Sequence, residues 1–129
     1  MTTELTMLTY SSLLCLLLAF PYTLGFIVQR GLYTVAGNRE DFPAGQGWIG
    51  RAHRAHLNLV ENLVPFAALV LIAQAAGKSD AMTIAGAQLF FFARLVHAVV
   101  YTAGIPWART LAYFGGVIGM LVILWRILA

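Results

Sequence analysis

The stretch LTMLTYSSLLCLLLAFPYTLGFIVQ, residues 5–29, contains no formally charged side chain. A helix needs about 20 predominantly apolar residues to cross the hydrocarbon core of a bilayer, so this stretch is long enough to do so. The whole chain has the same character, since 60% of its 129 residues are hydrophobic and only 10% are charged. A soluble domain carries about 25% charged residues. We therefore expect an integral membrane protein with the lipid bilayer as its solvent.

Three further apolar stretches follow the first one. We expect spans at about 5–30, 51–76, 81–103 and 107–128, joined by one long connection at residues 31–50 and two short ones. Glycine and proline mark the short breaks, at Gly77 and at Gly104-Ile105-Pro106. The predicted fold is all-α, a single four-helix membrane bundle that takes in residues 1–129.

The basic residues at the span ends indicate the orientation. One side of the membrane receives Arg30, Arg39, Arg51, Arg54 and Arg109, whereas the other receives Lys78 and Arg126. Cytoplasmic loops carry an excess of Lys and Arg, so we expect the first and third loops in the cytoplasm. Because the basic residues sit at span ends and not on one soluble face, the net charge of +3 does not indicate nucleic-acid binding.

Polar residues inside the second and third spans are the candidate functional residues. A charged group costs about 2.5–3.5 kcal/mol at mid-helix, and such groups usually face the bundle interior and mark a functional site. Spacings of three and four residues place each set along one helix face. Glu61 and Arg94 also fall at equal depth in antiparallel neighbours, which predicts an ion pair or a shared hydrogen-bond network, within one subunit or between two. The sets are Arg54, Asn58 and Glu61 on the second span, and Arg94, His97 and Tyr101 on the third.

Other interpretations of these residues remain. The network could serve only as interhelical glue, a common use of polar side chains in membranes. A proton or solute pathway is a second alternative, although only Gln74 and Gln88 lie beyond Glu61. His53 and His56 have the spacing of metal ligands, but no third ligand accompanies them, and we expect no metal. We favour a binding site that opens towards the cytoplasmic end.

Two motifs resemble a known family. The run Arg54-Ala-His-Leu-Asn58-Leu-Val-Glu61-Asn-Leu-Val-Pro65-Phe66 resembles the second-helix motif of the MAPEG family, the membrane-associated proteins in eicosanoid and glutathione metabolism. The run from Arg94 to Tyr101, followed by Gly104-Ile-Pro106 and Arg109, is similar to the third helix and the turn after it. The likeness covers essentially the whole chain and is greatest to the microsomal prostaglandin E synthase and glutathione transferase branches. It implies a homotrimer of four-helix subunits with three sites between subunits.

The resemblance also implies glutathione as the cofactor, bound in a polar pocket near the cytoplasmic side. Arg109 matches the arginine placed near the glutathione sulfur, with Thr110 or Tyr113 as a hydrogen-bond donor. Some family members carry tyrosine directly after the motif glutamate, where this chain has Asn62. The binding residues carried over by position are Arg30, Arg54, His56, Asn58, Glu61, Arg94, His97 and Tyr101.

These residue types suit a thiol peptide with two carboxylates and an amine. Chemistry needs the thiolate, and a nearby cation favours that charged form. We therefore expect a glutathione-dependent transferase or peroxidase in a bacterial inner membrane, with a lipophilic electrophile as substrate. Conjugation, isomerisation and peroxide reduction all remain open. The alternative is a non-catalytic binding or scaffold protein that keeps the family fold.

Overall fold

The computed structural model describes residues 1–129, which form five α-helices and no β-strand. Four of the helices are long and apolar enough to cross a membrane. The all-α prediction is therefore confirmed, and the chain is an integral membrane protein. The helices are α1 (Thr3–Arg30), α2 (Leu32–Ala36), α3 (Gly47–Ala75), α4 (Ala81–Ala103) and α5 (Pro106–Leu128).

The first loop holds the main departure from the expected bounds. It contains the short helix α2, and α3 begins at Gly47 instead of near residue 51. Ile49, in the first turn of α3, packs with Phe26 and Val35 in a small buried cluster. This contact lets the helix begin earlier than the apolar stretch alone indicates, because it buries the added turn against α1 and α2.

Local sequence explains where α4 begins and ends. The Asp80 side chain accepts hydrogen bonds from the backbone N–H groups of Met82 and Thr83, which caps the helix N-terminus. The Thr83 hydroxyl in turn accepts from the Asp80 N–H, which completes a capping box. Gly104 ends the helix in the left-handed conformation, and Pro106 begins α5 at a position where its missing N–H is not needed.

The core aligns α3 and α4 in depth. The Phe66 and Phe90 rings stack with their centroids 3.8 Å apart, and both side chains are fully buried. Leu59 and Ile123 belong to the same cluster and bring α3 and α5 together. This stack fixes the pairing of α3 with α4, and Asn58, about two turns from Phe66 on α3, bonds to Arg94 on α4.

Candidate functional site

The rotation of α3 decides where its polar side chains lie. Its buried stripe includes Ala55, Leu59 and Phe66, and successive residues of a helix are rotated by about 100°. Asn58 therefore falls on one flank of that stripe, on the side of α4 and α5. Glu61, two residues from Leu59, is rotated by about 200° from it and is exposed on the back of the helix.

Six side chains from three helices line one cleft of about 280 Å³ at the end of the bundle near the α4–α5 turn. Every one of them is a residue that the sequence singled out. Asn58 comes from α3, His97 and Tyr101 from α4, and Arg109, Thr110 and Tyr113 from α5.

The cleft presents a cation and hydrogen-bond donors. The Arg109 guanidinium carbon lies 4.6 Å from the centroid of the Tyr101 ring, a cation–π contact that holds it at the cleft wall. The Thr110 hydroxyl donates to the Pro106 carbonyl at 3.1 Å, so its proton is already engaged. The Tyr113 hydroxyl has no hydrogen-bond partner in the protein. Since no carboxylate lines the cleft, its field favours an anion.

Arg94 lies directly behind the cleft and is the largest fully buried side chain, with 1% of its surface exposed. Its Nη2 donates to the Asn58 Oδ1 at 2.5 Å. Gly116 on α5 makes room for it, because a Cβ at that position would lie 3.1 Å from the Arg94 Cδ. The Arg94 Nε and the Nδ1 of the neighbouring His97 are buried without a protein partner. Unpaired buried groups of this kind are costly.

The expected Glu61–Arg94 ion pair does not form within the chain. The one ion pair is Asp80–Arg126, at the other end of the bundle, and Arg94 bonds to Asn58 instead. The predicted match in depth fixes height along the bundle, but it does not fix the direction of a side chain around its own helix. Glu61 points away from α4, so a pairing between two subunits is the form of this expectation that remains.

Three other residues carried over from the family lie outside the cleft. His56 is on the opposite flank of α3, where its Nδ1 is 2.8 Å from the Tyr22 hydroxyl and its Nε2 is 3.7 Å from the Cys15 sulfur. Arg54 is exposed on the back of α3, two turns from Glu61 on the same face. Arg30 donates to the Pro43 and Ala44 carbonyls, with its guanidinium against the Phe26 and Phe42 rings.

Two residues outside the predicted set of site residues also shape the cleft. Asn62 donates from its Nδ2 to the carbonyl oxygen of Asn58 at 2.8 Å and to the Asn58 Oδ1 at 3.4 Å. The four-residue separation of two asparagines on a helix could have indicated this contact. Gly116 is a small residue of the kind that lets membrane helices approach closely, but its contact with Arg94 becomes visible only when α5 is packed against α4.

Comparison with known proteins places this arrangement in a family. The sequence model described as the MAPEG family matches residues 7–129. Similar proteins include microsomal glutathione S-transferase 1 from Homo sapiens, which is 35% identical over 69 residues, or 53% of this chain and 44% of that protein. The Bos taurus protein of the same name is 38% identical over 69 residues, again 53% and 44% of the two chains.

A third relative extends the aligned region. Microsomal glutathione S-transferase 1 from Mus musculus is 32% identical over 80 residues, or 61% of this chain and 52% of that protein. The matches thus span about half the length of these relatives. No solved structure matches the chain.

Proposed function

The chain belongs to the MAPEG family, and on this premise we propose that it is a membrane-embedded, glutathione-dependent enzyme that directs a thiolate onto a lipophilic electrophile. The observation that carries the proposal is the cleft in which Asn58, Arg109 and Tyr113 meet. The relatives named microsomal glutathione S-transferase 1 support glutathione as the thiol. The cleft is lined by three helices that are long and apolar enough to cross a membrane, which supports a substrate that partitions into lipid.

Arg109 stabilises the thiolate in this proposal. A free thiol has a pKa of about 8.5, and a guanidinium within a few ångströms favours its charged form. The thiol proton leaves to water, and the sulfur then attacks the electrophile. Tyr113 is a better hydrogen-bond donor to the sulfur than Thr110, because the Thr110 hydroxyl is engaged with the Pro106 carbonyl. Conjugation, isomerisation and peroxide reduction share this first step.

The remainder of the peptide requires a second subunit. Glutathione carries two carboxylates and an ammonium, yet Arg54 and Glu61, the side chains suited to them, are exposed on the back of α3. In a homotrimer, a neighbouring chain covers that face and completes the pocket. Arg30 reaches the pocket only if it leaves its contacts in the first loop, and His56 only if it leaves Tyr22.

The membrane orientation follows from the charge distribution. Five arginines mark the side of the first and third loops and two basic residues mark the other side, which supports an orientation with the cleft near the cytoplasm. This orientation suits a bacterial inner membrane, where glutathione would reach the cleft from the cytoplasm and the electrophile would arrive laterally from the lipid.

The test uses the full chain purified in detergent. We expect glutathione binding by calorimetry, and turnover with a chlorodinitrobenzene or a lipid hydroperoxide. Arg109→Ala should lower kcat and the ultraviolet thiolate absorbance of bound glutathione at least tenfold, while the Kd changes less. Lys78→Ala, which removes a cation at the other end of the bundle, is the control and should change neither.

Two outcomes would count against the proposal. A chain that neither binds glutathione nor turns over any electrophile would overturn it. Binding without turnover across several electrophiles would instead support a non-catalytic binding protein of the same family.

A further inference from the structure

Asn62 holds the Asn58 side chain in a single orientation. The Asn58 Oδ1 accepts from two donors, the Arg94 Nη2 at 2.5 Å and the Asn62 Nδ2 at 3.4 Å. If the Asn58 amide were rotated by 180°, its NH₂ group would face these two donors and both bonds would be lost. The network therefore assigns the oxygen to the buried side.

Asn62 can perform this task because it is itself anchored. Its Nδ2 donates to the Asn58 carbonyl at 2.8 Å, within the same helix turn. The side chain of Asn62 is half-buried, and it reaches no other protein group. The Asn58 Oδ1 can accept two hydrogen bonds, and Arg94 and Asn62 together supply both donors, so both bonds favour the same orientation of the amide.

The orientation of the Asn58 amide determines which of its groups faces the cleft. With Oδ1 occupied on the buried side, the Asn58 Nδ2 and its two N–H groups remain free at the cleft wall, and the structure gives them no protein partner. Arg109 and Tyr113 line the same cleft. The cleft therefore offers donors and no carboxylate.

We propose that Asn62 is a positioning residue that turns the Asn58 amide into a fixed hydrogen-bond donor, so that the cleft selects an anionic or carbonyl acceptor group of its thiol ligand. This inference rests on the proposed function for the identity of the ligand. It specifies that the ligand atom bound by Asn58 is a hydrogen-bond acceptor, and it gives a role to Asn62, which does not line the cleft.

Two variants separate this role from simple packing. Asn62→Leu removes the Nδ2 donor and both of its hydrogen bonds to Asn58. Asn62→Asp replaces this donor with an acceptor oxygen that favours the reversed Asn58 amide. We expect both to weaken glutathione binding about tenfold, since a hydrogen bond to a charged group is lost. Asn62→Asp should be the weaker binder of the two, although it is closer in shape to asparagine. Thr9→Val is the matched control, because it removes another side-chain bond to the carbonyl four residues earlier, on α1.

A readout beyond affinity is the dependence on the ligand's charge. Glutathione, its S-methyl derivative and its amidated derivative should lose unequal amounts of binding in Asn62→Asp, with the most anionic ligand losing most. A packing role would weaken all three equally and would lower the melting temperature of Asn62→Leu and Asn62→Asp alike.

The outcomes are distinguishable. If wild-type protein binds glutathione and both Asn62 variants bind it as well, the inference is overturned while the proposed function stands. An equal loss for all ligands also overturns the inference. If the wild-type protein binds no glutathione at all, the proposed function fails and the inference fails with it.

Discussion

Asp80 joins α4 to α5 at the end of the bundle opposite the cleft. It caps α4, and its Oδ2 accepts from the Arg126 Nε at 2.8 Å. The hydrogen bond from Arg126 is the main reason that the pKa of the Asp80 carboxyl is lowered, and the Thr83 backbone N–H contributes next. A carboxyl whose pKa is lowered by folding adds stability above its unfolded pKa and loses it as the pH falls through its folded pKa.

Asp80→Asn tests this contribution at the residue scale. The amide keeps a capping oxygen but loses the charge that pairs with Arg126, so the melting temperature in detergent should fall at neutral pH. The difference from wild type should begin to shrink as the pH drops below about 4, the ordinary pKa of an aspartate, and should disappear once the pH is below the lowered pKa of the folded carboxyl. A difference that stays constant from pH 7 to pH 3 would show that capping, and not the charge, matters.

The residues around the cleft were only partly predictable from the sequence. The sequence correctly indicated that Arg94 and His97 lie inside the bundle, because an ionisable group in an apolar stretch is costly and therefore conspicuous, but the same reasoning was wrong for Glu61, which is exposed. It did not indicate their partners. Arg94 bonds to Asn58 and not to Glu61, since the partner depends on the direction of each side chain around its helix as well as on depth.

The contact between α4 and α5 depends on two glycines. A Cβ at Gly119 would lie 2.5 Å from the Gly86 carbonyl oxygen and 2.9 Å from the Phe90 nitrogen. These are backbone atoms, which cannot move aside without separating the helices. Small residues of this kind let membrane helices approach closely, and here they also hold α5 where Gly116 meets Arg94.

Gly119→Ala should therefore destabilise the protein by about 1–3 kcal/mol, the usual cost of overpacking. Gly115→Ala on the same helix is the control, because its Cβ would lie 3.2 Å from the Ala93 side-chain Cβ, a milder contact. Thermal unfolding in detergent measures both. Equal melting temperatures for the two variants would contradict the close approach of Gly86 and Gly119.

The elements themselves were largely predictable. Apolar stretches bounded by Arg30, Gly77 and Gly104 predicted four helices, because helix length and apolar composition are local properties. The helix α2 and the early start of α3 were not predicted, since they depend on Ile49 packing against Phe26 and Val35. The rotation of α3 was likewise beyond local reasoning: His56, which the family resemblance assigned to the binding site, lies against α1.

At the scale of the whole molecule, the charged side chains on the back of α3 carry a free-energy cost that a single chain does not offset. Glu61 lies midway along Gly47–Ala75 and is exposed, as is Arg54 two turns away. A charged group facing lipid at this depth costs about 2.5–3.5 kcal/mol. The proposed homotrimer removes that cost by covering the face with another copy of the chain, which would also bring a pairing partner to Glu61.

Glu61→Leu distinguishes a monomer from a homotrimer, because the substitution should stabilise a monomer and weaken a homotrimer. In a monomer, leucine would relieve an exposed charge and raise the melting temperature in detergent. In the homotrimer, it would remove a buried partner, and we expect the subunit dissociation constant to rise at least tenfold, measured by native mass spectrometry over a dilution series. Gln88→Leu, at another exposed polar position on α4, should leave the assembly unchanged. A wild-type chain that is monomeric at all concentrations, together with a stabilised Glu61→Leu variant, would overturn the homotrimer and leave Glu61 facing lipid without a structural reason.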